Sequence, residues 1–545
     1  MKPYAFFFFL LVSFSLSAQY SRWEWVTSQT SAASNEIHRL TRDPFGDVIV
    51  AGRYTGEVYP WPGDTFESLG SYDLLLSKYT EEGVPKWVRT FGGFSYEEIW
   101  GLATDSMGNI YAAGHFESDT LYADTSRLGS SGSTNGYLVK FDSAGQVIWM
   151  RGLKSTGVNR YIQLAVDATG NAWVTGFYAG ANVTFGGTVF PSTNALGDIF
   201  VAKYLPDGTE AWARTLNGTG TDAGQAVAAD REGNVYVSGR TNSQTLNVQG
   251  GPSISNPGGF QIFLAKYGPN GGVAWARVFG GRFSDEATGL ATDSSGNLYM
   301  AAQSNSDTLR IDSLTLTPGT SDQVVVFRFD SAGTAIWGRH SATGSFNTPD
   351  GISVNDAGQI AIGGYFAGNT IQFGSIILNR INTSFSDAFV VTIDSSGTWL
   401  WGASAGSRRD DRCQAVALAP DGKVYAGGFF QEDIAYFGAL TLVNAINPLQ
   451  FDAWIGRVGP SATANEPQTS FRLSVYPNPS QGSVRVQLPE QAVDLEVFAL
   501  DGKRIAPQKL IPGPEVTVDL PAPGWYLIRV TDRQGRPFTA KVWWQ

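Results

Sequence analysis

The chain has 545 residues, 64 of them Gly and 25 Pro, and this abundance of turn-forming residues excludes a helical bundle. Aromatics make up 13% and charged residues only 16%, against roughly 25% in an average soluble chain, so a sizeable core is available and a disordered chain is excluded. The formal charge of −11 repels phosphate backbones and anionic headgroups, and nucleic acid is therefore not an expected partner.

Residues 1–18 read as a signal peptide: Lys2, an apolar run over about 5–16, then the small residues Ser17 and Ala18. The run is too short for the roughly 20 residues a spanning helix needs, and no later segment is long and apolar enough to cross a membrane. Export through the Sec route and the periplasm is expected, ending in secretion or at the outer cell surface. The single Cys413 cannot close an intramolecular disulfide and reads as a small core hydrophobe.

Residues 19–460 repeat. Trp25, Trp87, Trp149, Trp212, Trp275, Trp337 and Trp401 follow one another at steps of 62 to 64 residues. A turn of the form D-x-x-G-N recurs 18 residues after each, at Asp43, Asp105, Asp167, Asp230 and Asp293, then as Asn355 and the degenerate Ala419. Asx side chains satisfy backbone groups in such turns, and Gly accepts positive φ. Between these landmarks the apolar pattern has period two. Each repeat reads as four short antiparallel strands, with a variable stretch rich in Gly, Ser, Thr and Asn before the strand typified by LLLSKY at 74–79. The LLLSKY pattern recurs for the last time at 453–458, where no Trp strand follows. Closure of a seven-bladed β-propeller is therefore expected through a mixed blade, with 453–458 beside strands drawn from about 22–54. The combination of [FL]-[LV]-[AS]-K-[YF], W-x-R and D-x-x-G-N-x-Y resembles the SBBP-type seven-bladed propeller repeat of secreted bacterial proteins, a resemblance that carries architecture and little chemistry.

Residues 461–470 read as a linker. Over 471–545 the texture changes to alternating strands such as SVRVQL and WYLIRVTD with a net charge of +2, a small Ig-like antiparallel β-sandwich. The fold class is thus all-β, a seven-bladed propeller followed by a sandwich. Tyr476, Pro477, Asn478 and Pro479, the turn containing Gly502, the pair Gly524 and Tyr526, and Lys541 near the end make this module similar to the type A C-terminal sorting domain of the type IX secretion system of Bacteroidota. The resemblance implies the type IX machinery as a partner. It departs from that pattern at Trp543, Trp544 and Gln545, where small aliphatic residues are more typical.

No catalytic, cofactor-binding or metal site is read from the repeats. The seven Trp side chains read as core, each large enough to bury about 150–250 Å². Lys78, Lys140, Lys203, Lys266, Arg328 and Arg457, and the arginines two after Trp (Arg89, Arg151, Arg214, Arg277, Arg339), are expected to pair with the turn Asp residues. His38, His115 and His340 lie in different repeat contexts and suggest no zinc site. A non-enzymatic module serving binding, adhesion or scaffolding is the leading expectation, with a surface glycan or protein held by the variable blade loops. The alternative is a hydrolase or lyase acting on polysaccharide or peptide, which would need shifted ionisable groups in one blade-crossing cleft.

Overall fold

The computed structural model describes residues 21–460 apart from 61–63, 193–195, 320, 343–345, 382–384 and 445–448, and, further on, 475–476, 483–487, 492–499, 504–508, 515–532 and 537–544. The signal-peptide and linker readings lie outside the described residues. The chain divides into two compact units, taken separately here.

The first is a seven-bladed propeller. Blade 1 pairs Ser34–Arg42, Val48–Thr55, Asp73–Tyr79 and Pro85–Phe91 in sequence order from the channel outward, and each later blade repeats that order. Blade 7 takes Asp411–Leu418, Val424–Gln431 and Phe451–Pro460 from one end of the chain and its outermost strand, Ser21–Ser31, from the other. The second and third strands of each blade carry the longest apolar runs and are buried on both faces, as in DLLLSKY and QIFLAKY.

The repeat motif is a single hydrogen-bonded unit. The Asp43 carboxylate accepts the amides of Phe45 and Asp47, each at 2.9 Å, and the same pattern recurs at Asp105, Asp167, Asp293 and Asn355. The Tyr six residues on donates to the same carboxylate at Asp105, Asp230 and Asp293, at 3.3, 3.2 and 3.0 Å. Lys78, Lys140 and Lys266 reach theirs at 2.7, 3.7 and 3.7 Å. The expected pairing thus holds at these three. Lys203 lies over the Trp173 ring, Arg328 donates to the Ser395 carbonyl, and Arg457 pairs with Glu24 and Glu81.

The core reading of the Trp row holds at Trp149, Trp337 and Trp401, which are buried in hydrophobic clusters, while Trp25, Trp87, Trp212 and Trp275 are half-buried; the row packs in the seams between blades. The expected pairing of the arginines is corrected. Indole Nε1 of Trp149, Trp212 and Trp337 donates to a turn carbonyl of the next blade, at Pro206, Pro269 and Ser395. The W-x-R arginine spans the same seam and does not seek the turn Asp. Arg151, Arg214 and Arg339 donate Nε to Gly208, Gly271 and Gly397 carbonyls at 2.7–2.8 Å, while their guanidinium groups lie near their own Trp rings. Arg277 is the exception and pairs with Asp312. At the closing seam no turn joins Phe451–Pro460 to the outermost strand Ser21–Ser31, and buried Trp401 Nε1 finds no acceptor among the described residues.

The turn glycines take positive φ and receive the indole face. A Cβ at Gly271 (φ 74°) would stand 2.8 Å from Trp212, whereas one at Gly250 (φ 76°) would meet nothing within 4 Å. Gly271→Ala is expected to cost about 1–3 kcal/mol in denaturant unfolding, and more than Gly250→Ala, which incurs the backbone strain alone.

The variable stretches, whose place on a face or at the rim the sequence leaves open, lie partly at the rim. Part of each folds as a short hairpin, as in Thr120–Ala123 with Ser126–Gly129, and packs at the rim. Each hairpin pairs with the outermost strand, or the residue after it, of the preceding blade: Gly92 with Tyr122, Leu216 with Val248, Gly280 with Arg310, Ala342 with Gln372, Gly406 with Tyr436. Alternate hairpin residues such as Leu121 and Ala123, or Ile371 and Phe373, are buried. These segments protect the sheet edges that a propeller leaves exposed.

The second unit is a two-sheet sandwich. One sheet holds Val475–Tyr476, Ser483–Gln487 and Glu515–Asp519; the other holds Arg504–Gln508, Ala492–Ala499, Gly524–Asp532 and Pro537–Trp544. Val484, Val486, Leu495, Val497, Val518, Ile528 and Val530 form its core.

Candidate functional site

Each innermost strand contains one β-bulge at the same step, so that His38, Trp100, Ile162, Gln225, Thr288, Asp350 and Gln414 occupy equivalent positions around the channel. Bulges re-aim side chains and commonly border sites. Two residues earlier, toward the face where these strands begin, lie the cross-strand pairs Glu36 with Arg53, Glu98 with His115, Arg160 with Phe177, Ala223 with Arg240, Glu286 with Gln303, Thr348 with Tyr365 and Arg412 with Phe429. The blades agree in their core and turn positions and disagree here in charge and size.

The densest part spans blades 1 and 2. Arg53 binds Glu36 at 2.9 Å and also contacts Glu98 and Tyr96, with its guanidinium 4.5 Å from the Tyr72 ring centroid. His38 lies between the carboxylates, Nε2 at 3.3 Å from Glu36 and Nδ1 at 3.2 Å from Glu98 and 3.3 Å from the Ile99 carbonyl, and its ring stacks on Trp100 at 5.0 Å. Burial opposes ionisation of both carboxyls, yet His38 and Arg53 hold Glu36 down to about 2 and keep Glu98 below its usual range. Burial would lower the His38 pKa, and the two carboxylates raise it instead. This is a paired ionic cluster, with no free base in it.

Two ionisable groups stand apart. Burial, then the Arg160 charge, pulls His115 down to about 3, and neither ring nitrogen has a hydrogen-bond partner among the described residues. Burial pushes Asp350 of blade 6 up to about 6, against the charges of Arg412, Arg39 and His38, which places it in the field of blades 7 and 1. Around this opening Phe94 and Phe346 are exposed on the loops between blades, and Arg412 lies 4.2 Å from the Tyr365 ring. Cys413 beside Arg412 is fully buried and its thiol is pushed up by burial, as its small-hydrophobe reading requires.

The structure brings His38 and His115, which share no repeat context, to opposite sides of Glu98. Among the described residues no group of three potential ligands could hold a metal ion. Glu36, Arg53, Tyr96, Glu98, Asp350 and Arg412 escaped the sequence reading. Aligning the repeats on their Trp and Asp landmarks would have exposed them as charged or aromatic departures at four fixed columns.

Of the sorting-module residues, Tyr476 lies in a short edge strand, Gly524 opens the strand Gly524–Asp532, and Lys541 pairs with Leu527. The Tyr526 hydroxyl donates to the Ala522 carbonyl at 2.6 Å and accepts from its amide at 3.2 Å, fixing the preceding corner. Pro477, Asn478, Pro479 and Gly502 lie outside the described residues.

Residues 474–543 match the secretion system C-terminal sorting domain, and residues 211–247 and 274–309 match the beta-propeller repeat. The chain is a beta-propeller repeat protein with a secretion sorting domain. The type IX sorting domain implies export to the outer surface, and no helix among the described residues is long and apolar enough to cross a membrane. The chain is 22% identical over 529 residues to the "Uncharacterized WD repeat-containing protein L264" of Acanthamoeba polyphaga mimivirus, covering 79% of this chain and 38% of that one. It is 24% identical over 261 residues to "Regulatory protein FlaEY" of Caulobacter vibrioides, covering 45% and 27%. The chain therefore spans less than half the length of these curated relatives. Among solved structures it is similar to the polysaccharide lyase PL25 ulvan lyase, at TM-score 0.39 and 12% identity over 74% of this chain and 93% of that one.

Proposed function

We propose that the exported propeller is a binding and adhesion module whose ligand, a surface glycan or protein, is held on the face where the innermost strands begin. The observation that supports this reading is the broken symmetry: seven copies conserve their core and turns while the ring at the channel mouth varies among Arg, Glu, His, Trp and Tyr. Aromatic faces beside paired, fully ionised groups suit recognition of a polar ligand better than proton transfer. The test is binding by the full chain on glycan and protein arrays. Phe94→Ala and Phe346→Ala are expected to weaken the captured ligand tenfold or more, while Phe45→Ala and Met107→Ala, exposed in the turns of the opposite face, leave it unchanged. Equal loss from both pairs would overturn the assignment of the face.

The alternative, a hydrolase or lyase acting on polysaccharide or peptide, draws on His115 and Asp350, two shifted groups on blades 2 and 6. It predicts turnover of a polymer by the full chain and its loss in His115→Ala.

A further inference from the structure

A second opening lies on the same face, between blades 4 and 5. It has a volume of about 120 Å³ and is bounded by Arg240 and Phe260 from one blade and by Ser284, Glu286, Gln303 and Asn305 from the next, with Asp322 at its edge. It occupies the place that the Tyr96 ring takes at the seam of blades 1 and 2. The two seams correspond residue by residue: Arg240 stands for Arg53, Phe260 for Tyr72, Glu286 for Glu98 and Gln303 for His115. Ser284 stands where Tyr96 does, and the lost ring leaves the space open.

The lining is specific in its chemistry. Arg240 is spent on Glu286 at 2.9 Å and lies 5.0 Å from the Phe260 ring, so the main cation is already neutralised. Its Nε has no acceptor among the described residues, and neither does Oε1 of Gln225 beside Glu286 a partner. Asp285 is fully buried, accepts Ser304 and Ser306 hydroxyls, and is pushed by burial toward its neutral form. The amides of Gln303 and Asn305 can donate to and accept from adjacent hydroxyls, the Asp322 carboxylate can accept from them, and one aromatic wall is available to an apolar ring face. No uncompensated positive charge invites an anion. The volume is below the roughly 300 Å³ of an ordinary small-molecule site, which suits one ring and not a chain.

We infer that this opening is a subsite for a single neutral sugar residue, presented as the end or branch of a glycan. This rests on the reading of the face as a binding face and names the ligand class at one place on it. The test uses the full chain in saturation-transfer NMR with the methyl glycosides of glucose, galactose and mannose, and with glucuronic acid and methyl glucosaminide as charged comparators. At least one neutral glycoside is expected to bind, and Ser284→Tyr, which restores the ring found at blade 2, is expected to weaken it tenfold or more with unchanged thermal unfolding. Asn305→Ala should weaken it in the same direction. Failure of every neutral glycoside to bind, binding of the amino sugar alone, or full binding by Ser284→Tyr would overturn the subsite. An array ligand retained by Ser284→Tyr yet lost on Phe94→Ala would overturn this subsite alone and leave the binding face standing.

Discussion

A chain lacking Phe451–Pro460 is expected to lose the cooperative unfolding of the propeller, although six blades retain all four of their strands. That segment is the middle of blade 7: it pairs on one side with Val424–Gln431 and on the other with Ser21–Ser31. Without it the N-terminal strand keeps only the short Glu57–Tyr59 strand beside it and two sheet edges open to solvent. Its side chains are also core: Trp454 and Ile455 are 1% exposed, and Trp454 packs edge-on against Trp23 and Phe437 at 5.7 and 5.0 Å. Trp454→Ala alone is expected to cost about 3–5 kcal/mol, the range for removing a large buried aromatic. Denaturant unfolding followed by tryptophan fluorescence reads both. An unchanged transition in the truncated chain would show that closure does not hold the ring.

The second large effect concerns pH. At each seam a polar residue at or next to the start of a third strand stands near one at or next to the start of the next innermost strand: Asp73 and Glu97, Asn135 and Asn159, Asp198 and Asp222, Gln261 and Asp285, Gln323 and Asn347, Asp387 and Asp411, Asp452 and Asn35. All are buried. Four seams contain an amide, and three place two acids together. Burial pushes Glu97 and Asp387 up to about 7 and Asp411 well above the usual range, with the neighbouring acid adding to the effect at Glu97 and Asp411. Asp387 Oδ1 and Asp411 Oδ1 both lack a hydrogen-bond donor among the described residues, which leaves their negative charge uncompensated there. The folded chain thus binds more protons than the unfolded one. These acids contribute stability that is fully present below about pH 4 and is lost as pH rises toward 7. His38, with its pKa raised, loses stability in the same direction above about pH 6.5. Glu36, Glu98 and His115 act oppositely, since their pKa values are lowered: the carboxylates lose their contribution only below about pH 4.5, whereas His115 loses its own below about pH 6.5, one group set against the several raised acids. Thermal unfolding is expected to weaken from pH 5 to pH 8. The double variant Asp387→Asn with Asp411→Asn, which copies the amide seams, should flatten that slope and gain on the order of 1–3 kcal/mol at pH 8. A variant less stable than the parent at pH 8 would show that the pair is ionised and bridged in some other way.

Period and phase made the propeller legible. Seven Trp and seven turn positions with a constant offset determine the blade number, and the unpaired strand pattern at 453–458 determines the closure. The Trp row was legible as packing residues, but its contact with the next blade was not, because period and phase do not show which turn meets the indole; Gly271 of the next blade lies against Trp212. The rim hairpins were hidden for a similar reason. Their buried positions, such as Leu121 and Ala123, are only one to three per blade and are embedded in polar sequence. At the channel mouth the difficulty was different: residues far apart in the chain, such as Glu36, Glu98 and Asp350, meet only when the ring closes. Their one signal is disagreement with the repeat.

Hydrogen–deuterium exchange on the full chain, with and without a ligand captured from the arrays, tests the binding face most directly. Protection is predicted where the innermost strands begin, over 34–39, 96–101, 284–287 and 411–415, and in the ends of the second strands near Arg53, His115 and Gln303. Protection confined to the Asp43–Asp47 and Asp105–Asn109 turns of the opposite face, or to the rim hairpins, would contradict it.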